Sequence, residues 1–308
     1  MSFETVKMQS AIDRLPLTAY CWTPLQGDVT GLVIIAHGLG EHALRYTDFA
    51  KALNSEGFAV LALDHRGHGA SLGPNGVGDF GEGGWHALVE DIAQLTRVGQ
   101  NKFNDLPTVL FAHSLGSFAA QQYLFSHANL INAVILSGSA AVDQLFAATM
   151  AARAAANSQK HDGEQGGGAF SFYNRGFEYR TGFEWLSRDA AQVDKYVADP
   201  LCGFELQPES LLSFATCAAT LADANNIAKI PKQLPILLLA GAHDPVTGRL
   251  EYLRELQHRY QAEGIKHIET LFYPEGRHEM LNDINREQVY ADLTAWLKKV
   301  LAHPDITA

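Results

Sequence analysis

The chain has 308 residues, 47% hydrophobic and 19% charged, an ordinary globular composition with room for a large core. A net charge of −11 and a pI near 5.6 leave no basic footprint for a nucleic acid, and an anionic membrane surface repels such a chain on average. A neutral or cationic substrate, or one reached through apolar contact, fits this charge better.

Cys21, Cys202 and Cys217 show no CxxC spacing and no disulfide framework, and read as buried free thiols of a reducing compartment. Residues 1–10 lack the apolar stretch of a signal peptide, and the longest apolar runs, near Val33 and Ile236, are too short for a membrane span. A cytoplasmic protein is expected.

In chain order, residues 5–9 and 15–22 read as two strands joined by a turn around Asp13. Residues 31–36 are a continuous apolar run, as in a strand buried on both faces. Tyr46, Phe49, Ala50 and Leu53 fall at helical spacing, and Gly57 ends that helix. Residues 58–63 are the next strand, and Trp85, Leu88, Val89, Ile92 and Leu95 mark the next helix. A strand at 108–112, a helix at 115–125 and a strand at 131–136 follow. The alternation then stops, and 140–230 is rich in alanine and aromatics, with helical patches and a flexible stretch at 157–168. It resumes with a strand at 235–240, a helix at 249–260, a strand at 267–272 and an amphipathic helix at 288–301.

Repeated strand–helix units predict a mostly parallel central sheet flanked by helices. An insertion of roughly ninety residues after the strand near Ile131 is too long for a loop, which is usually under about 15 residues. It reads as a mainly helical cap, giving a core of 1–139 and 231–308 and a cap of 140–230. The cap is expected over the C-terminal edge of the sheet, where open α/β sheets bind ligands.

Ala112-His113-Ser114-Leu115-Gly116 lies between an apolar strand and a helix, the arrangement of a nucleophile elbow, with Ala112 where the pattern G-x-S-x-G has glycine. A serine hydroxyl needs a base to remove its proton. In such folds the order is serine, acid, histidine. Asp244 and His278 both follow strands and leave the sheet at the same edge, so Ser114, Asp244 and His278 are the expected triad. The bland alternatives are a helix N-cap for Asp244 and a solvated loop histidine for His278. His37-Gly38-Leu39-Gly40 follows the first buried strand. The N–H groups of Leu39 and Leu115 are the expected oxyanion hole. His37, Gly38, Glu41 and His113 are candidate substrate-binding residues, and Glu41 with Arg45, four apart on a helix, reads more readily as a surface pair. His37, His42, His65, His68 and His86 cluster early in the chain, but no HExxH or Cys/His spacing supports a metal, and none is expected.

On these residues the sequence resembles the monoacylglycerol lipase and lysophospholipase group of α/β-hydrolases, often labelled serine aminopeptidase-type hydrolases. His37-Gly38-Leu39-Gly40-Glu41-His42 with Arg45-Tyr46 resembles the group's oxyanion loop, and Asp64-His65-Arg66-Gly67-His68-Gly69-Ala70-Ser71 its D-x-R-G-x-G-x-S loop. His113-Ser114-Leu115-Gly116, Gly241-Ala242-His243-Asp244-Pro245-Val246 and Gly276-Arg277-His278-Glu279 resemble its elbow, acid and histidine loops. Phe183-Glu184-Trp185-Leu186-Ser187-Arg188-Asp189 and Asp199-Pro200-Leu201-Cys202-Gly203-Phe204 resemble its bacterial lysophospholipase-like members. The resemblance implies the same triad, no cofactor, a lipid ester substrate and a cap that shapes an apolar acyl pocket.

The predicted cap offers apolar side chains beyond the need of a connector: Leu145, Phe146, Met150, Phe170, Phe172, Phe177, Phe183, Trp185, Leu211, Leu212 and Phe214. Its first helix, 142–156, can face the pocket mouth or make a transient membrane-surface contact, although packing onto the main domain is the commoner fate of such a stripe. The rival readings are an aminopeptidase that captures an amine with Glu178, Glu184 or Glu205, a carbon–carbon bond hydrolase, and a non-catalytic ligand-binding α/β-hydrolase.

Overall fold

A computed structural model of the chain describes residues 1–104, 106–158 and 171–302. Most of the 157–168 stretch, and Phe170, lie outside them.

Eight strands form one sheet: β1 (Ser2–Gln9), β2 (Pro16–Thr23), β3 (Gly31–Ala36), β4 (Phe58–Leu63), β5 (Thr108–His113), β6 (Ala133–Ser137), β7 (Ile236–Gly241) and β8 (Ile268–Tyr273). Their order is β1-β2-β4-β3-β5-β6-β7-β8. β1 with β2, and β2 with β4, pair antiparallel, and all other neighbours pair parallel. The run read as a doubly buried strand, β3, is so, and every residue of β4, β5, β6 and β7 is buried as well. β6 starts two residues later than expected, because Ile131 closes a short 3₁₀ turn at Ala128–Leu130 and its N–H donates to the Ala128 carbonyl.

The helices are α1 (Thr47–Ser55), α2 (Gly84–Lys102), α3 (Leu115–His127), α4 (Val142–Ser158), α5 (Ala190–Ala198), α6 (Pro208–Ala222), α7 (Ala224–Ile227), α8 (Glu251–Ala262) and α9 (Arg286–Leu301). Alternation along each strand sorts them onto two faces. Val33, Ile35, Val109 and Phe111 pack with Phe49 of α1 and Leu293 and Leu297 of α9. Leu32, Ile34, Leu110 and Ala112 pack with Leu88 of α2, Phe118 of α3 and Leu253 of α8. Fully burying each of these side chains larger than alanine is worth about 1.5–3 kcal/mol. No described helix is long and apolar enough to cross a membrane.

Between β6 and β7 the described chain forms helices α4 to α7 and no strand. Its apolar residues Leu145, Trp185, Tyr196 and Phe214 belong to the core of the second face. Polar contacts tie it down too. Ser213 of α6 accepts the Trp85 N–H at 2.8 Å, where α2 begins with unpaired donors, and Ser210 accepts the Phe80 N–H at 2.8 Å.

Candidate active site

The topology brings the ends of β3, β5, β7 and β8 to one edge, where the chain order reverses across β3 and β5. Ser114 stands between β5 and α3 with φ 50° and ψ −119°. Such a backbone costs of the order of 1–3 kcal/mol and persists only where its surroundings enforce it. Here the Gly116 N–H donates to the His37 carbonyl at 3.1 Å. A Cβ on Gly116 would lie 2.3 Å from the Ala36 oxygen, so only glycine lets α3 start this close to β3. Ala112 makes no such demand: its methyl is fully buried in the core of the second face.

His278 and Asp244 meet behind the serine. The His278 Nδ1–H donates to Asp244 Oδ2 at 2.9 Å, which leaves the lone pair on Nε2. Asp244 is fully buried, and its Oδ1 accepts the Val246 N–H at 2.8 Å. The two loops close because Gly241 carries no Cβ; one there would lie 2.1 Å from the Gly276 carbonyl carbon. The His278 ring lies 4.6 Å from that of His113 and 5.1 Å from that of Trp185, centroid to centroid. Its N–H donates to the Trp185 carbonyl at 3.3 Å, and the Glu279 N–H donates to the Leu186 carbonyl at 2.7 Å.

Burial alone would depress the His278 pKa. The Asp244 carboxylate, with Glu279 and Glu41 further off, outweighs it and raises the value above the ordinary histidine range. His113 goes the other way: burial and then the nearby His278 push it down to about 4, so it stays neutral. Two histidines side by side thus have opposed tendencies, and the one paired with a carboxylate is the better proton acceptor of the two.

Ser114, His278, Leu39, Leu115, Gly38, Glu41 and His113 all line one cavity of about 210 Å³. The segment between β6 and β7 supplies much of its remaining wall, through Leu145, Phe146, Phe172, Trp185, Leu211 and Phe214. Leu115 is the first residue of α3, where a helix leaves N–H groups without an intrahelical acceptor.

Two sequence expectations change. His37 was read as a substrate contact, but it is fully buried outside the cavity lining. Its Nε2 accepts the His65 N–H at 3.0 Å, so Nδ1 carries the proton and donates to the Gly38 carbonyl at 2.8 Å. Both ring nitrogens therefore hold backbone, and burial keeps its pKa well below the usual value. Glu41 and Arg45 were read as a surface pair, but Glu41 is only 3% exposed. Glu41 accepts from the Gly38 N–H at 2.6 Å, the Tyr46 hydroxyl at 2.9 Å and Arg45 at 2.6 Å. Arg45 also reaches Glu279 and lies over the Tyr196 ring at 4.9 Å. Burial would raise the Glu279 pKa, but the charge of Arg45 overrides it and takes it down to about 2. Glu279 carries no role in the sequence reading, and Trp185 stands there only as one of the cap's apolar side chains, not as a neighbour of His278. Glu279 stands directly after His278, which is the signal that could have flagged it; Trp185 offers none.

The family model described as "Serine aminopeptidase, S33" matches residues 27–285. The chain belongs to that family. It is 29% identical over 286 residues to a monoacylglycerol lipase of Mycolicibacterium smegmatis, covering 90% of each chain. It is 28% identical over 282 residues to the monoglyceride lipase of Mus musculus, covering 86% of this chain and 84% of that one. Among solved structures, a highly thermostable carboxyl esterase from Bacillus coagulans, in complex with glycerol, superposes with a TM-score of 0.83 at 28% identity, over 98% of this chain and 99% of that one. The eight-stranded, mostly parallel sheet with flanking helices is the α/β-hydrolase fold, and this member of the family is a carboxylic ester hydrolase.

Proposed function

We propose that the protein hydrolyses monoacylglycerol or lysophospholipid-type lipid esters through an acyl-enzyme on Ser114. The observation that carries this reading is the pair of His278 and fully buried Asp244, 2.9 Å apart, behind a strained serine that lines an apolar cavity. His278 Nε2 takes the Ser114 proton as Oγ attacks the ester carbonyl carbon. The oxyanion rests on the N–H groups of Leu39 and Leu115, each such donor being worth about 3–4 kcal/mol in the transition state. The tetrahedral intermediate collapses as His278 returns the proton to the leaving alcohol. Water then repeats the cycle on the acyl-enzyme, releasing the fatty acid, while Asp244 stabilises the imidazolium.

Residues 140–230 act as the cap in this reading, and the wall they contribute takes the acyl chain. An apolar cavity of about 150 Å³ admits benzene, so about 210 Å³ suits an alkyl chain. Met150 and Leu212, 64% and 66% exposed, neighbour cavity residues on α4 and α6, which pack together. They are the side chains that would meet a lipid surface at the mouth. The aminopeptidase reading needs a carboxylate ready for an amine. Glu184 is taken up by Thr181, Asn174 and Gly182, and Glu178 does not line the cavity. Glu205 does line it.

The test is fatty-acid release from a monoacylglycerol and a lysophospholipid, with a short aryl ester and an aminoacyl amide alongside, for the wild type and Ser114→Ala. Release from a long-chain lipid by the wild type alone supports the reading. Cleavage of the amide alone would replace it with the peptidase.

A further inference from the structure

His42 on the oxyanion loop, and Asp199 and Cys202 on the turn after α5, bring one imidazole, one carboxylate and one thiol within 4.8 Å of one another. They are the group of this kind among the described residues, and none of them lines the catalytic cavity. We propose that His42, Asp199 and Cys202 form a binding site for a divalent transition metal, zinc by its donor set, which clamps the oxyanion loop to the turn that follows α5.

The donors select the metal. Nitrogen, sulfur and oxygen together suit zinc, whereas magnesium and calcium take oxygen alone. The three donors lie near enough for one ion to gather them. Tetrahedral bonds of about 2.0–2.3 Å place ligand atoms roughly 3.3–3.8 Å apart. His42 Nε2 and Asp199 Oδ2 are hydrogen-bonded at 2.9 Å across 157 residues of sequence, so zinc would replace that bond and part the two atoms slightly, drawing together three donors that lie within 4.8 Å. Asp199 Oδ1 is occupied by the Leu201 N–H at 2.9 Å, so Oδ2 is the oxygen turned to the site. The Cys202 N–H donates to the Asp199 carbonyl at 3.0 Å, and this turn keeps acid and thiol on one side. Asp199 is 29% exposed at its side chain, which opens a way in for an ion and a place for water as fourth ligand.

Glu41, Asp199 and Glu279 all act on Cys202, with Arg45 the strongest single charge and opposite in sign. Burial holds the Cys202 proton firmly, so a metal must displace it and release a proton on binding. The same two loops are already stitched by the Gly203 N–H donating to the Gly40 carbonyl at 2.9 Å. A metal would strengthen an existing joint, one residue from the loop position of Glu41. Sequence spacing gives no sign of it, because the ligands come from distant segments. The site is independent of the reaction assigned to Ser114, and its test reads binding directly.

The full-length protein, stripped with a chelator and desalted, is titrated with Co²⁺ and then Zn²⁺. The expected result is one equivalent of Co²⁺, a thiolate-to-cobalt charge-transfer band, displacement by Zn²⁺ and a rise in melting temperature. Cys202→Ser abolishes the band. Asp199→Asn, at a partly exposed position that leaves the thiol in place, keeps the band but weakens binding at least about tenfold, the loss that even an outer-shell partner causes. Cys217→Ser changes neither. Absence of the band in the wild type, or its survival in Cys202→Ser, overturns the proposal, as does unchanged affinity in Asp199→Asn.

Discussion

Arg45 and Glu279 form a two-pronged ion pair, Nη1 to Oε1 and Nη2 to Oε2 each at 2.7 Å, one residue beyond His278. The same Nη1 reaches Glu41 at 2.6 Å, and Glu41 holds the Gly38 N–H. One guanidinium thereby joins the loop after β3 to the loop after β8. Arg45→Gln would leave two buried carboxylates without their cation. The expected cost is about 3–5 kcal/mol in urea unfolding, with a fall in kcat. A loss under about 1 kcal/mol would show that the pair behaves as a surface bridge.

With His278 as the proposed base, its raised pKa sets the acid limb expected of the rate. The base form is lost as pH falls through the folded value, so kcat/KM in the wild type drops with a midpoint above the ordinary 6.5. Asp244→Asn removes the charge that raises it. The midpoint moves down, and kcat falls by roughly 10⁴-fold, as the wrong tautomer is favoured. A wild-type midpoint below 6.5 would contradict the charge balance around His278.

Buried neutral histidines set a second pH effect, on stability. Burial lowers His65 to about 3 and His68 to about 4. The unfolded chain binds protons below about pH 6.5 that the folded chain refuses. Stability is therefore full above that pH and is lost as pH falls toward 4, by up to about 1.4 kcal/mol per pH unit for each group. His68→Gln removes one such proton. Unfolding free energies between pH 6 and 4 are expected to show a shallower slope for this variant, and an unchanged slope would count against a neutral His68.

Ala112 replaces the glycine usual at its place in the elbow without strain, since its methyl packs in the core. Ala112→Gly is expected to keep kcat and to lose about 0.5–1 kcal/mol of stability from chain entropy. A gain in kcat would mean that the methyl distorts the turn.

Met150 and Leu212 stand exposed beside the cavity wall. Met150→Asp with Leu212→Asp is expected to weaken sedimentation with lipid vesicles and to leave hydrolysis of a dissolved short ester unchanged. Equal vesicle binding by both proteins would remove the surface-docking role.

The parallel strands were legible because burial on both faces writes itself as unbroken apolar runs, as in β3 and β4. Ser114, Asp244 and His278 were legible as strand-end residues in a fixed order, and the fold places all three at one edge. What escaped was contact across long separations. Glu279 is 234 residues from Arg45, so Glu41 and Arg45, read as an i,i+4 pair on a helix, looked like surface decoration; Glu41 in fact precedes the 3₁₀ turn Ala43–Tyr46, and the pair is half of a buried network. His37 looked like a pocket residue because it opens the glycine loop, yet its ring nitrogens are spent on backbone from Gly38 and from His65, 28 residues on. Trp185 holds the His278 ring and backbone from a segment whose sequence shows no period to place it.

The measurement that tests the central claim most directly is the mapping of a fluorophosphonate adduct. The protein is treated with the reagent, and residual ester hydrolysis is followed beside intact mass and peptide mass. The account predicts one adduct per chain, on Ser114, gained in step with lost activity. Ser114→Ala takes up none and turns over about 10⁶-fold more slowly. An adduct on another residue, or turnover retained in Ser114→Ala, would contradict it.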